Sequence, residues 1–243
     1  ASQAWLGRID RAAALALQRS LLPTRLPRVP GIEVAARYLP GHRTGVGGDW
    51  YDVFALPTGW LGIVIGDVSG HGLPAAVVMG RLRSALRAYA LEWDDPAEAL
   101  TRLDRKIRHF ETGSLATAMY VMISPDRSEM RLSQAGHLPP ILARPDEPPE
   151  MLSLPVDLPL GTGAEQPRHT MSVPLPEGGV VVCYTDGLVE RRGDPIDEGL
   201  ESLRAVVRAE DPELVCATVM AAVGTEQPTD DIALVAVRRT PLD

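Results

Sequence analysis

The chain has 243 residues, 45% of them hydrophobic and 23% charged, with a formal net charge of -8. That length suits one large domain or two small ones, with enough apolar residues for a sizeable core. The acidic balance excludes a nucleic-acid binder, which needs a basic footprint.

Residues 3 to 22 read as an amphipathic helix, because Leu6, Ile9, Ala13, Leu17 and Leu21 recur at spacings of three and four and share a face. The three prolines of "LPTRLPRVPG" end it, since each removes a helical hydrogen bond and clashes with the preceding turn. The segment 1–22 is therefore set apart as an N-terminal helix from a main domain over 23–243. Strands follow in "IEVAARYLP", "YDVFALP" and "WLGIVIGD", the last two joined by a turn at Pro57-Thr58-Gly59.

After Gly72 the apolar period changes from two to about 3.6, which predicts a long helix over "LPAAVVMGRLRSALRAYALE" with Pro74 in its first turn. Ala76, Gly80 and Ser84 form a stripe of small residues on it, where another helix can approach closely. Asp95 is the expected N-cap of a second helix, with Pro96 at its first position and Glu98 three residues after the cap. From residue 116 the pattern is mostly strand: "TAMYVMIS", "EMRLSQAG", "PPILARP", "HTMSVPL" and "GVVVCYTDG", with "RPDEPPEM" as a connecting loop. Helices near 197–209 and 212–223 precede a closing strand in "DDIALVAVRR". Helices do not alternate with strands, so the order favours an α+β arrangement of antiparallel sheets covered by helix pairs.

Cys183 and Cys216 offer neither a disulfide framework nor metal-ligand spacing. Cys183, inside "VVVCYT", reads as a small packing residue, and a reducing, cytoplasmic setting is expected. No apolar run approaches the ~18 residues of a membrane span, and "ASQAWLGRID" is no signal peptide. The first residue is not Met, which fits a piece of a longer protein.

Four acidic sites stand at strand ends: Asp67 after "IVIG", Asp186 after "VVVCYT", Asp230-Asp231 before the last strand, and Asp49 with Asp52 at the start of another. A lone turn carboxylate is usually solvated, but Asp67 and Asp186 follow strongly apolar strands where an unpaired charge is costly. Two carboxylates ~4 Å apart repel by about 4 kcal/mol at an effective dielectric near 20. Hard divalent cations remove that penalty, and oxygen ligands without a His or Cys cluster select Mg²⁺ or Mn²⁺.

"GVGGDWYD", "IGDVSGHG", "SQAGHLPP", "LPLGTG", "VVCYTDGLVERR" and "PTDDIALVAV" together resemble the motifs of the SpoIIE/RsbU-type phosphatases, the bacterial branch of the PP2C (PPM) metal-dependent Ser/Thr protein phosphatases. The resemblance runs in family order from about residue 16 to 239. It implies an α-β-β-α sandwich of two antiparallel sheets flanked by helix pairs, and a hydrolase using two divalent cations, Mn²⁺ or Mg²⁺. On this resemblance Asp67 bridges both metals beside the backbone carbonyl of Val68, and Asp186 and Asp230 match the acids holding one of the two metals. Asp49 resembles the acid that orients metal-bound waters, with Asp52 as a second. Asp231 falls behind the ligands, where relatives outside this branch carry Asn. Gly70 and Gly72 let the chain turn sharply into the next helix.

The sequence departs from animal-type relatives in two ways. "GVGGD" lacks the Arg that grips phosphate there, and nearby Arg43 reads as a surface residue. His71 lies further from the bridging acid than their histidine, so it reads as a helix start, with general-acid catalysis as the alternative. His137 reads as loop packing, with a site role as the alternative.

The substrate class implied by the resemblance is a phosphorylated STAS-type anti-sigma-factor antagonist in bacterial partner switching, hence sigma-factor and stress-response regulation. Two other readings compete: a catalytically weak phosphatase-like binding module for the same partner, and a metallohydrolase of small phosphate esters. The family often carries an N-terminal sensor such as a PAS or GAF domain, and the helix at 3–22 looks like its connector. A weak homodimer through that helix is expected.

Overall fold

The computed structural model describes residues 13, 16, 17, 19–41, 47–163, 165–191, 193–225 and 228–242. Among them the chain runs β1 (Ile32–Leu39), β2 (Trp50–Ala55), β3 (Leu61–Val68), α1 (Gly72–Glu92), α2 (Pro96–Phe110), β4 (Ala116–Ile123), β5 (Glu129–Ala135), β6 (Ile141–Ala143), β7 (Glu150–Met151), β8 (Met171–Pro174), β9 (Val180–Tyr184), α3 (Ile196–Val206), α4 (Pro212–Ala222) and β10 (Ile232–Arg239). Sheet A has the order β1-β10-β9-β6-β7 and sheet B the order β2-β3-β4-β5-β8, with every paired strand antiparallel. The expected sandwich of two antiparallel sheets between helix pairs is the fold observed.

The period of two along each strand sorts side chains into layers. Leu61, Ile63 and Ile65 of β3, Met119 and Val121 of β4, Val181 and Cys183 of β9, and Ala233 and Val235 of β10 fill the layer between the sheets. Their alternates, such as Val64, Tyr120 and Met122, pack on α1 and α2 through Met79, Leu82 and Leu100. On the far side Val180, Val182, Tyr184 and Leu234 meet Leu203 of α3 and Val215 and Val219 of α4. Because both faces are buried, "WLGIVIGD" and "VVVCYTDG" are almost unbroken apolar runs rather than alternating ones. Truncating a fully buried residue such as Ile65 to Ala costs about 2–5 kcal/mol.

Local signals set the helix starts. Asp95 Oδ1 accepts from the Ala97 amide at 2.9 Å, with Pro96 in the first turn; Glu98 pairs forward with Arg102 at 2.7 Å. Asp211 caps α4 in the same way, accepting from the amides of Glu213 and Leu214. Two elements exceed the expectation. The two-residue β7 closes the "RPDEPPEM" loop against β6, too short for any periodic signal. A single 3₁₀ turn, Asp186–Leu188, follows β9.

Residues 13, 16, 17 and 19–21 are helical, while Leu6 and Ile9 lie outside the described residues. Leu21 rests on the small-residue stripe of α1: a Cβ added to Gly80 would stand 2.8 Å from Leu21 Cδ2. A groove of about 650 Å³ continues from there along Leu17, Val77, Ser84 and Ala88. Among the described residues no helix is long and apolar enough to cross a membrane.

Candidate active site

The alternation that builds the central layer also decides which acids meet. Asp67 keeps the parity of Ile63 and Ile65, so it emerges at the end of the face that looks toward sheet A. Asp49 keeps the parity of Val53, and Asp231 that of Ala233, so both arrive in the same layer. Both are buried, as is Thr185 beyond the end of β9. Asp186 follows Thr185 and opens the 3₁₀ turn, and Asp230 offers Oδ1 to the Asp231 amide at 2.9 Å.

These acids raise one another's proton affinity. Burial, then the charge of Asp67, holds Asp49 well above the usual carboxylate range, while hydrogen bonds with Thr185 and Asp67 pull in opposite directions. Burial also pushes Asp67 up to about 7, opposed by a hydrogen bond from Asp49 and assisted by the charges of Asp186, Asp230 and Asp231. Asp186 is raised by burial, then by Asp230 and Glu190. The four expected site acids therefore share one electrostatic neighbourhood. Asp49 Oδ2 is buried with no hydrogen-bond partner among the described residues.

Glycines let the backbone close around this group. A Cβ on Gly48 would lie 2.1 Å from the Val68 carbonyl oxygen, and one on Gly47 would lie 2.0 Å from Asp231 Oδ2. A Cβ on Gly187 would strike the Asp231 carbonyl oxygen, also at 2.0 Å. Asp231 is held behind the cluster: Tyr38 OH donates to its Oδ2 and the Gly41 amide to its Oδ1 at 2.7 Å.

Asp52, expected as a second acid beside Asp49, is placed elsewhere. The step between the two is an odd three positions, so they face opposite sides of the strand, and Asp52 points at α1. There Arg87 donates to it through Nε and through Nη2 at 2.7 Å, and Arg83 joins at 3.1 Å. His71 occupies the N-cap position of α1 in an extended conformation, exposed and without a side-chain capping bond. That is the helix-start reading. Arg43 lies outside the described residues. Tyr38 and Thr185, which carry no motif signal of their own, stand beside Asp231 and Asp49; His137 contacts Thr117 and the Tyr184 carbonyl rather than the acids.

No three His, Cys, Asp or Glu side chains among the described residues converge closely enough to hold a metal ion as they stand. The donor chemistry nevertheless fits hard divalent cations. It offers oxygen atoms alone, on acids whose proton affinity is raised by burial and by each other's charge, with one buried carboxylate oxygen unpartnered. Positive charge at this point would offset the mutual repulsion of the acids.

The chain resembles known proteins over most of its length. It is 24% identical over 177 residues to the phosphoserine phosphatase RsbU of Bacillus subtilis, covering 72% of this chain and 52% of that protein. The chain thus spans about half the length of that curated relative. The solved RsbU and RsbW domains of Rv1364c from Mycobacterium tuberculosis match with a TM-score of 0.77 and 30% identity, covering 92% of this chain and 64% of that one. The SiaA-PP2C domain of Pseudomonas aeruginosa shares the fold with a TM-score of 0.75 at 23% identity, over 98% of each chain. The family model for stage II sporulation protein E matches residues 57–240, from the β2–β3 turn to the end of β10, and so takes in Asp67, Asp186 and Asp230. With three-quarters of its length inside that match, the chain belongs to the SpoIIE family.

Proposed function

We propose that this chain is a metal-dependent protein phosphatase that hydrolyses phosphoserine or phosphothreonine on a partner protein. The observation that carries the reading is the mutual charge effect among Asp49, Asp67, Asp186 and Asp230 at the ends of both sheets, the first three of them held at raised proton affinity. Such a cluster is costly unless it works against positive charge.

Asp67, Asp186, Asp230 and the Val68 carbonyl would hold two divalent cations, Mn²⁺ or Mg²⁺. Bound there, the cations supply Lewis-acid stabilisation of the phosphoryl oxygens and make an attacking water more acidic. The chain's own residues do the positioning. Asp49 Oδ2, free of other partners among the described residues, accepts a hydrogen bond from the water and aims it at phosphorus. Asp231 holds the Gly41 backbone and the Tyr38 hydroxyl in place behind the acids. The water oxygen bonds to phosphorus as the phosphorus–serine oxygen bond breaks, and one of the water's two protons ends on the departing serine oxygen, yielding serine and inorganic phosphate.

The partner we propose is a phosphorylated STAS-type anti-sigma-factor antagonist, in keeping with the RsbU-like relatives. Phosphate release from such a phosphoprotein, with and without Mn²⁺ and beside a small aryl phosphate, tests the reading. Release from the phosphoprotein only with Mn²⁺ supports it. Binding of the phosphoprotein without turnover would instead make the chain a binding module, and turnover of the aryl phosphate alone would make it a small-ester hydrolase.

A further inference from the structure

The layer between the sheets is apolar, and apolar packing is non-directional. It holds two sheets face to face but does little to fix how one slides along the other. Asp67 belongs to sheet B and Asp186 leaves sheet A, so their separation depends on that slide.

His137 lies on the crossover that carries the chain from β5 in sheet B to β6 in sheet A. Its Nε2 is 2.9 Å from the Tyr184 carbonyl oxygen, and its Nδ1 is 3.1 Å from Thr117 Oγ1. The two contacts fix the tautomer. A carbonyl can only accept, so Nε2 carries the hydrogen and donates to Tyr184; Nδ1 then accepts from the Thr117 hydroxyl. Burial pulls the imidazole down to about 4, consistent with a neutral ring making both bonds. Thr117 is the direct cross-strand partner of Asp67, and Tyr184 stands two residues before Asp186. The crossover is itself fixed at further points: the His137 amide donates to Gln134 Oε1 at 3.0 Å, and Tyr184 OH donates to the Pro139 carbonyl at 2.8 Å.

We infer that His137 is a positioning residue, a directional link that sets the spacing of Asp67 and Asp186 across the two sheets through Thr117 and Tyr184. The inference rests on the reading of those two acids as cation ligands. It concerns spacing alone, since neither nitrogen is free to meet substrate.

Calorimetric titration of Mn²⁺ into the substrate-free protein tests it, alongside melting of the metal-free protein. Thr117→Val keeps the side-chain volume and deletes the hydroxyl; Thr117→Ser keeps the hydroxyl and deletes a methyl. Thr117→Val and His137→Ala are expected to weaken Mn²⁺ binding by ~10-fold or more, as loss of supporting groups does at other metal sites, with Thr117→Ser close to wild type. In melting, Thr117→Val should equal or exceed Thr117→Ser. Wild-type Mn²⁺ affinity in Thr117→Val, or equal losses in the Ser and Val variants, would overturn the link. If wild type binds Mn²⁺ with the expected variant ranking but releases no phosphate from a phosphoprotein, the link stands and the phosphatase reading falls. A wild type that binds no Mn²⁺ overturns both.

Discussion

Replacing Asp67 with Asn should stabilise the metal-free protein while abolishing its activity. Burial is the main reason that the Asp67 carboxyl sits at about 7 instead of the ordinary 3.8, with the charges of Asp186, Asp230 and Asp231 adding to it. That gap corresponds to about 4 kcal/mol, at about 1.4 kcal/mol per pH unit. Below pH 3.8 the group is protonated in folded and unfolded chains alike, and no penalty exists. Between 3.8 and about 7 the unfolded chain has already lost its proton while the folded one keeps it, so stability falls as pH rises. Above 7 the full penalty is present. Asp67→Asn removes it but leaves a buried amide, whose unmet hydrogen bonds cost about 1–3 kcal/mol. The net gain expected at pH 8 in EDTA is about 1–3 kcal/mol, or ~3–10 °C in Tm for a domain of this size. Scanning calorimetry at pH 8 and pH 5 is the assay, and the advantage should shrink at pH 5. Mn²⁺ at a hundredfold excess over its Kd should stabilise wild type by ~2.7 kcal/mol and the variant far less. A variant that melts below wild type at pH 8, or that gains as much from Mn²⁺, would refute the reasoning.

The double change R83M/R87M should lower stability by ~3–5 kcal/mol, because it strands the buried Asp52 charge. Mn²⁺ affinity by calorimetry should barely change, since Asp52 faces away from the other acids. Gly48→Ala forces a Cβ against the Val68 carbonyl and should abolish Mn²⁺-induced stabilisation in a thermal melt. Gly113→Ala, where φ is +84° and the space is open, should cost only about 1–2 kcal/mol of backbone strain and leave that stabilisation intact. Gly80→Leu displaces Leu21 from α1 and should cost ~1–3 kcal/mol in melting. Phosphate release should fall by more than that loss explains, because α1 begins at the turn that follows β3, the strand that carries Asp67.

Most of the architecture was legible because the signals are local and repeated. "IEVAARYLP" and "DDIALVAVRR" run long enough to read as strands, and Asp95-Pro96 and Asp211-Pro212 mark helix starts through one cap each. The parity rule also holds the answer to Asp52: three residues from Asp49, it had to face the other way and find partners on α1. Two features lay beyond a single sequence. Nothing in "AGHLPP" tells that His137 stands between sheets, because that depends on which sheet β4 and β9 each join. Nor does "GVGGD" tell that its glycines yield to Asp231 and the Val68 carbonyl, which come from distant segments of the chain. Both are consequences of non-local pairing, which periodicity within one segment does not encode.

β10 is the last strand of the chain, yet it lies inside sheet A between β1 and β9. On the ribosome, β1 therefore emerges with its inner edge unpaired and stays so until residue 239 follows residue 32 out of the tunnel. About 200 residues of synthesis separate them, roughly 10–40 s at 5–20 residues per second. Throughout that interval β1 presents an open hydrogen-bonding edge, joined late in it by β9, and Asp230 has yet to join the other acids. An unpaired edge of that kind is a template for pairing with other chains, so β10 is the strand whose arrival closes sheet A against edge-to-edge association.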